Sequence, residues 1–175
     1  MAILHTPKVF VGQVENTPVL ALRGGVRYVN ASALRKVIDD LLARKAGDTV
    51  ILDLRQLSSI DSTGLGLLAH VGRTTLRRGR MAVIVCSSPD LLLCLRSVAF
   101  DTMFMVLDRW PEATEPVLQE TSLENEDPST DFLGRSVLAA HRDLAELSDQ
   151  NRRSFADVIT ALEAELQANR HSSMH

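Results

Sequence analysis

Cysteine is scarce in this sequence, with only Cys86 and Cys94 among 175 residues. Both lie between apolar neighbours, a pattern typical of thiols packed in a core rather than of a disulfide or a metal site. The chain also lacks the basic segment, apolar run and cleavage site of a signal peptide, and no apolar stretch reaches the ~18 residues that crossing a membrane requires. We therefore expect a cytoplasmic protein with no membrane partner.

A strong charge of one sign is missing too. The 19 basic and 22 acidic residues leave a formal net charge of −3, which provides no broad basic surface for a phosphate backbone. No motif that reads base edges accompanies the arginines, so direct nucleic-acid binding is not expected. His141 has no companion at metal-ligand spacing and is expected to be a surface or interface residue. We predict no metal and no other cofactor.

Motifs for catalysis are lacking as well. Ser62 is not part of a Gly-x-Ser-x-Gly elbow, and His70 lies about two turns further along the same predicted helix, too far away to activate the serine. Gly64 and Gly66 are too closely spaced for a dinucleotide-binding loop, and no Gly-Lys-Ser/Thr sequence occurs. We expect a binding protein with no catalytic residue, not an enzyme.

Short β-type runs alternate with helical patterns over residues 1–108. The predicted strands cover residues 8–15, 19–22, 49–54, 81–86 and 104–107. The predicted helices cover residues 31–47, 62–78 and 90–98, with Asn30 and Ser88 as the N-caps of the first and third. This order predicts an α/β domain whose mostly parallel sheet is opened by an antiparallel hairpin and has helices packed on it.

The composition changes after residue 108. Acidic residues and prolines dominate residues 109–130, which we interpret as an acidic linker that holds at most a short helix. Residues 131–169 carry a long apolar stripe at helical spacing and predict a helical C-terminal extension that starts at Asp127-Pro128. Residues 170–175 are predicted to be a disordered tail. The stripe fits three arrangements: folding back onto the domain, a homodimer through this helix, or binding of a second protein.

The segment Ile60-Asp61-Ser62-Thr63-Gly64-Leu65-Gly66 joins a buried strand to a helix. Asp61 or Ser62 can cap that helix, and the two glycines allow another surface to approach its first turn closely. We expect the Ser62 hydroxyl to be open to another protein. A phosphate on it would meet the positive end of the helix dipole, which tolerates the anion, but would add about −1.5 to −2 charge to the contact surface.

This segment resembles the STAS domain of bacterial anti-sigma-factor antagonists, in which an Asp-Ser-Thr/Ser-Gly-Leu-Gly stretch follows the central strand. The resemblance extends over residues 8–107. It implies that Ser62 is the phosphoacceptor and that the partner-binding surface consists of Asp61, Ser62, Thr63, Gly64, Leu65 and Gly66. Two features depart from the family: the loop at residues 24–28 lacks the acidic residue that many relatives show, and the tail exceeds the minimal domain.

The resemblance also implies a mechanism of partner switching. The unphosphorylated protein binds an anti-sigma factor that is also a serine protein kinase, and a serine phosphatase resets the phosphorylated form. In the alternative that we retain, the chain is a non-switching STAS adaptor subunit of a sensory or lipid-transport complex, and Ser62 only caps its helix.

Overall fold

Six strands form one mixed sheet in the part of the chain that the structure describes. The computed structural model describes residues 7–44, 49–110, 115–123 and 130–172. The strands are β1 (Lys8–Val14), β2 (Thr17–Val26), β3 (Ile51–Ile60), β4 (Ala82–Val85), β5 (Phe104–Leu107) and β6 (Val117–Thr121). Their order across the sheet is β5-β4-β3-β2-β1-β6. Neighbours from β2 to β5 are parallel, whereas β1 is antiparallel to both β2 and β6.

Helices connect the parallel strands, as parallel pairing requires. The helices within the described ranges are α1 (Ala31–Ala43), α2 (Ser62–Arg77), α3 (Pro89–Ser97), α4 (Thr130–Ala145) and α5 (Asp149–Ser172). The predicted fold class is therefore confirmed: an antiparallel hairpin opens the sheet, and three strand-helix-strand crossovers follow. None of these helices combines the length and the apolar character needed to cross a membrane.

The two faces of the sheet bury different side chains. On the helix face, Leu20 and Leu22 of β2 and Leu52 and Leu54 of β3 are fully buried in the main core. On the opposite face, a smaller apolar cluster is centred on Val19, Val85 and Trp110. Because residues 19–22 are buried on both faces, this part of β2 is a continuous apolar run rather than an alternating one.

The predicted N-caps have different outcomes. The Ser88 hydroxyl accepts a hydrogen bond from the backbone N–H of Leu91, 3.4 Å away, and Pro89 occupies the first turn of α3, as expected. Asn30 precedes α1, but its side chain makes no capping hydrogen bond. α1 ends at Ala43, where Arg44 is already extended, and therefore stops before the predicted end near residues 46–47, which lie outside the described residues. Cys86 and Cys94 are both free, Cys86 is buried in the core, and burial raises the pKa of both thiols.

Part of the expected acidic linker is a strand. Residues 117–121 form β6, which pairs with β1 along the edge of the sheet, and the register places Leu118 opposite Gly12. A Cβ atom at position 12 would collide with the carbonyl oxygen of Val117, so glycine permits this close pairing. Our interpretation of residues 109–130 as a linker holding at most a short helix did not foresee this strand.

The C-terminal extension forms two helices instead of the single one predicted. The chain turns after α4, and the Ser148 hydroxyl accepts a hydrogen bond from the backbone N–H of Asn151 at the start of α5, 3.0 Å away. α4 packs against α1 and α2, and α5 packs along α4. The predicted start at residues 127–128 lies outside the described residues, as do residues 173–175 of the predicted disordered tail, whereas residues 170–172 belong to α5.

Candidate functional site

Asp61 fixes the start of α2. One carboxylate oxygen accepts a hydrogen bond from the backbone N–H of Gly64, 2.8 Å away, and the other accepts from the backbone N–H of Tyr28, 2.7 Å away. Asp61 is therefore the N-cap of α2, one of the two caps that the sequence allowed. The same carboxylate ties the loop that follows β2 to the first turn of α2.

Ser62 is the first residue of α2, and its hydroxyl is paired with a histidine on the C-terminal extension. The Oγ atom lies 3.0 Å from Nε2 of His141, while Nδ1 of the same ring lies 2.8 Å from the carbonyl oxygen of Val137. A carbonyl oxygen only accepts hydrogen bonds, so Nδ1 carries the proton. In the neutral imidazole, Nε2 is then the acceptor, and the Ser62 hydroxyl donates to it.

The rest of the predicted partner-binding surface is buried. Residues 63–66 have little solvent exposure, and Ser62 and Asp61 are half-buried. Gly66 lies directly against the backbone of α4, where a Cβ atom would overlap the carbonyl oxygen of Ala140. The glycine does allow another surface to approach closely, as the sequence indicated, but this surface belongs to the same chain.

The expectation of an open Ser62 hydroxyl is wrong for this arrangement of the chain. The hydroxyl is half-buried and hydrogen-bonded because α4 packs over the first two turns of α2. His141 is 4 % exposed, so it is an interface residue as expected but not a surface residue. The sequence did contain a signal for its position: His141 follows Val137 by four residues and precedes Leu144 by three, which places it on the apolar face of α4.

Ion pairs join the other end of this interface. Arg73 of α2 donates to the carboxylates of Asp143 and Glu146 on α4. His70 contacts Asp143 through Nδ1, at 3.5 Å, and Asp39 of α1 through Nε2, at 3.0 Å. His70 therefore belongs to a network of charges between helices, in line with its exclusion as a base for Ser62.

The N-terminal part of α5 packs against His141. The ring of Phe155 meets the imidazole edge-on, with ring centroids 5.8 Å apart. Asn151 is buried and donates hydrogen bonds from its amide nitrogen to the carbonyl oxygens of Val98 and Leu144, each 3.0 Å away. Asn151 thus links α5 to the end of α3 and to α4 through hydrogen bonds.

A polar cluster also occupies the opposite face of the sheet. Asp53 of β3 accepts hydrogen bonds from the guanidinium of Arg55 and from the indole N–H of Trp110, and Arg55 also donates to Glu115. Burial by itself would raise the pKa of Asp53, but the hydrogen bonds and charge of Arg55 together with the bond from Trp110 hold it below the ordinary value. The pKa of Arg55 is raised by the same pairing. Because the Arg55 guanidinium is already paired with two acids, it offers little attraction for an anionic ligand.

The side chains within the described ranges include no group of three or more His, Cys, Asp or Glu residues that could hold a metal ion. The arrangement around Ser62 offers instead a hydroxyl at the positive end of a helix dipole, a neighbouring carboxylate and an exposed apolar rim. That rim is formed by Tyr28 and Val29, which are 53 % and 48 % exposed. These are features of a protein-binding surface that charge can regulate.

Comparisons with known proteins give a family and several structural relatives. A family model described as the STAS domain matches residues 9–118. The structure of an anti-sigma factor antagonist from Mycobacterium paratuberculosis is similar with a TM-score of 0.53 and 21% sequence identity, over 62% of this chain and 91% of that one. At this level of identity the similarity concerns the fold.

Two structures of SpoIIAA are also similar to this chain. One is the anti-sigma factor antagonist in its unphosphorylated form, with a TM-score of 0.46 and 25% identity over 58% of this chain and 91% of that one. The other is the Bacillus protein in its phosphorylated form, with a TM-score of 0.44 and 22% identity over 56% of this chain and 92% of that one.

Proposed function

The chain belongs to the STAS domain family, and we propose that it is an anti-sigma-factor antagonist that works by phosphorylation-controlled partner switching. In this proposal the unphosphorylated protein binds an anti-sigma factor that is also a serine protein kinase. Phosphorylation of Ser62 ends the binding, and a serine phosphatase restores it. The chain acts in the cytoplasm as a binding protein, without catalytic residues or a cofactor of its own.

The position of Ser62 carries this proposal. It is the first residue of a helix that follows a central strand, and Asp61 caps that helix. The backbone N–H groups of a first helical turn and the helix dipole favour a phosphate at this point, so the domain tolerates the modification. The surrounding residues, Asp61 and Thr63 to Gly66, are proposed to form the surface that the partner covers.

Phosphate on Ser62 would change binding by charge and by volume. It adds about −1.5 to −2 charge beside the carboxylate of Asp61, at the centre of the proposed contact surface. A loss of about 3 to 4 kcal/mol in binding free energy would weaken the complex by a few hundredfold. That difference is large enough for a regulatory switch.

Phosphopeptide mapping tests the proposal. We expect the protein purified from the cells that produce it to carry phosphate on the peptide containing Ser62. Thr63 supplies a matched control, because its hydroxyl is adjacent but buried at 3 % exposure. The phosphate should disappear in Ser62→Ala and remain in Thr63→Ala. Persistent absence of phosphate at Ser62 in a protein that stays in a stable stoichiometric complex would contradict switching.

One observation favours a second candidate function. The Ser62 hydroxyl is hydrogen-bonded inside the chain, and the surface around it is covered by α4. A non-switching adaptor subunit of a sensory or lipid-transport complex would have this arrangement permanently, with the C-terminal helices available to bind its partners or a second copy of the chain. The same phosphopeptide mapping separates the two candidates.

A further inference from the structure

The C-terminal helices cover the surface on which the proposed function depends. We use the name lid for residues 130–172, which comprise α4 and α5. α4 of the lid touches Ser62 through His141 and Gly66 through the backbone of Ala140. α4 therefore occupies the space over the first two turns of α2 that a partner protein would need.

The contacts between α4 and α2 are specific along their whole length. At one end, the Ser62 hydroxyl donates a hydrogen bond to the imidazole of His141. In the middle, Gly66 allows the backbone of α4 to approach closely. At the other end, Arg73 forms ion pairs with Asp143 and Glu146. A small residue at the closest approach, a half-buried hydrogen bond and ion pairs together form a specific interface between the two helices.

The lid also excludes modification of Ser62. Nε2 of His141 lies 3.0 Å from Oγ and holds the hydrogen atom that a phosphoryl group would replace. A kinase must in addition place its own catalytic groups around that oxygen, where α4 now lies. Transfer of a phosphoryl group to Ser62 thus requires α4 to move away first.

Movement of α4 does not require the sheet to open. The strand pairings from β5 to β6 involve no residue of the lid. α5 contributes mostly exposed side chains, and its buried contacts are made to α4 and to the end of α3. The lid is therefore an added layer on a domain whose strand network is complete without it.

We propose that the lid is an autoinhibitory element that competes with the partner and the kinase for the Ser62 surface. The protein is then closed when α4 covers α2 and competent for binding or phosphorylation when α4 is released. The existence of the lid follows from this chain alone, whereas the identity of what it competes with rests on the proposed function.

Reactivity of a thiol at position 62 measures the lid directly. The full chain carries Ser62→Cys in a Cys94→Ser background, and the same background without Ser62→Cys supplies the blank, since Cys86 is buried. A small maleimide is added to every variant at the same pH, so that the rates compare access to the same thiol. Intact-mass analysis gives the labelling rate, which is expected to be much slower in the native protein than in urea.

Gly66→Ala should release the lid, and Gly134→Ala is its matched control. Both changes place an alanine in a helix, but the new Cβ at position 66 overlaps the backbone of α4, whereas that at position 134 meets only the flexible end of the Leu166 side chain. We expect Gly66→Ala to raise the labelling rate at position 62 by about tenfold or more, because the closed state loses population. Gly134→Ala should leave the rate within about twofold.

A second pair of variants keeps the test valid if Gly66→Ala fails to fold. Asp143→Asn with Glu146→Gln removes the acids that face Arg73 without changing side-chain shape, and should also raise the rate. Glu163→Gln with Glu165→Gln removes the same charge from α5 and should not. Equal rates in all variants, or labelling at position 62 of the folded Ser62→Cys protein as fast as in urea, would overturn the lid.

No partner or kinase enters this measurement. Failure of the thiol experiment would therefore leave the phosphorylation of Ser62 untouched, and absence of phosphate at Ser62 would leave the lid intact.

Discussion

At the scale of single residues, the buried side chains of Asp53 and His141 are both held by hydrogen bonds. Asp53 lies within the sheet at 7 % exposure, yet both of its oxygens accept hydrogen bonds from Arg55, and Trp110 adds another. His141 is similarly satisfied on both ring nitrogens. A buried group of this kind stabilises the fold only while its partners remain, because an unpaired one costs about 1 to 3 kcal/mol.

The pairing of Asp53 predicts a pH-dependent contribution to stability. Its pKa is lower in the folded protein than the value of about 3.9 expected in the unfolded chain, so the ionised form stabilises the fold. That contribution is complete at pH 7, begins to shrink near pH ~4 and is lost as the pH falls through the folded-state pKa. Asp53→Asn should therefore lower the free energy of unfolding by about 1 to 2 kcal/mol at pH 7, and by less at acid pH.

Urea unfolding of both proteins between pH 3 and 7 measures this difference. Asp108→Asn is the control, because Asp108 is exposed and should give a small, nearly constant difference. A loss at position 53 that stays constant down to pH 3 would show that the carboxylate charge is not responsible.

At the scale of helices and strands, Ser148 and Asn151 hold the turn between α4 and α5. Ser148 caps α5. The buried amide of Asn151 donates hydrogen bonds to the carbonyl oxygens of Val98, at the end of α3, and Leu144, in α4. The turn between α4 and α5 is thereby fastened to the domain. An apolar residue at position 151 would continue the stripe but would leave both carbonyl oxygens without this donor.

Asn151→Ala should lower the free energy of unfolding by about 1 to 3 kcal/mol, because two buried carbonyl oxygens lose their donor. Gln150→Ala is the matched control: it removes a neighbouring amide in the same helical turn, at an exposed position, and should change stability by less than about 0.5 kcal/mol. Chemical denaturation of the two variants gives the comparison. Equal losses would mean that the amide of Asn151 does not fasten the turn.

The sequence predicted the parts of this fold whose signals are local. The apolar runs of β3 and β4, the Ser88-Pro89 start of α3 and the Asp61 cap all depend on neighbouring residues, and all are observed. β6 was missed because the acidic residues and prolines around it resemble a linker, and its pairing partner lies more than a hundred residues earlier. The pairing of Ser62 with His141, which are 79 residues apart, depends in the same way on tertiary packing.

At the scale of the whole molecule, the STAS domain and its C-terminal lid meet at Ser62. The domain supplies a helix start that favours a phosphate, and the lid supplies the imidazole that now holds the hydroxyl. A homodimer through the exposed face of α5 remains a prediction. In the proposed mechanism, Ser62 is the point at which lid, partner and phosphate exclude one another.

The affinity of the proposed anti-sigma partner for the full chain, with and without phosphoserine at position 62, tests this account most directly. Both forms should be prepared as pure proteins, the modified one by site-specific incorporation of phosphoserine, and their dissociation constants compared by calorimetry. We predict that the phosphorylated chain binds at least about a hundredfold more weakly, which corresponds to a loss of about 2.7 kcal/mol. Equal affinities would contradict the central role given to Ser62.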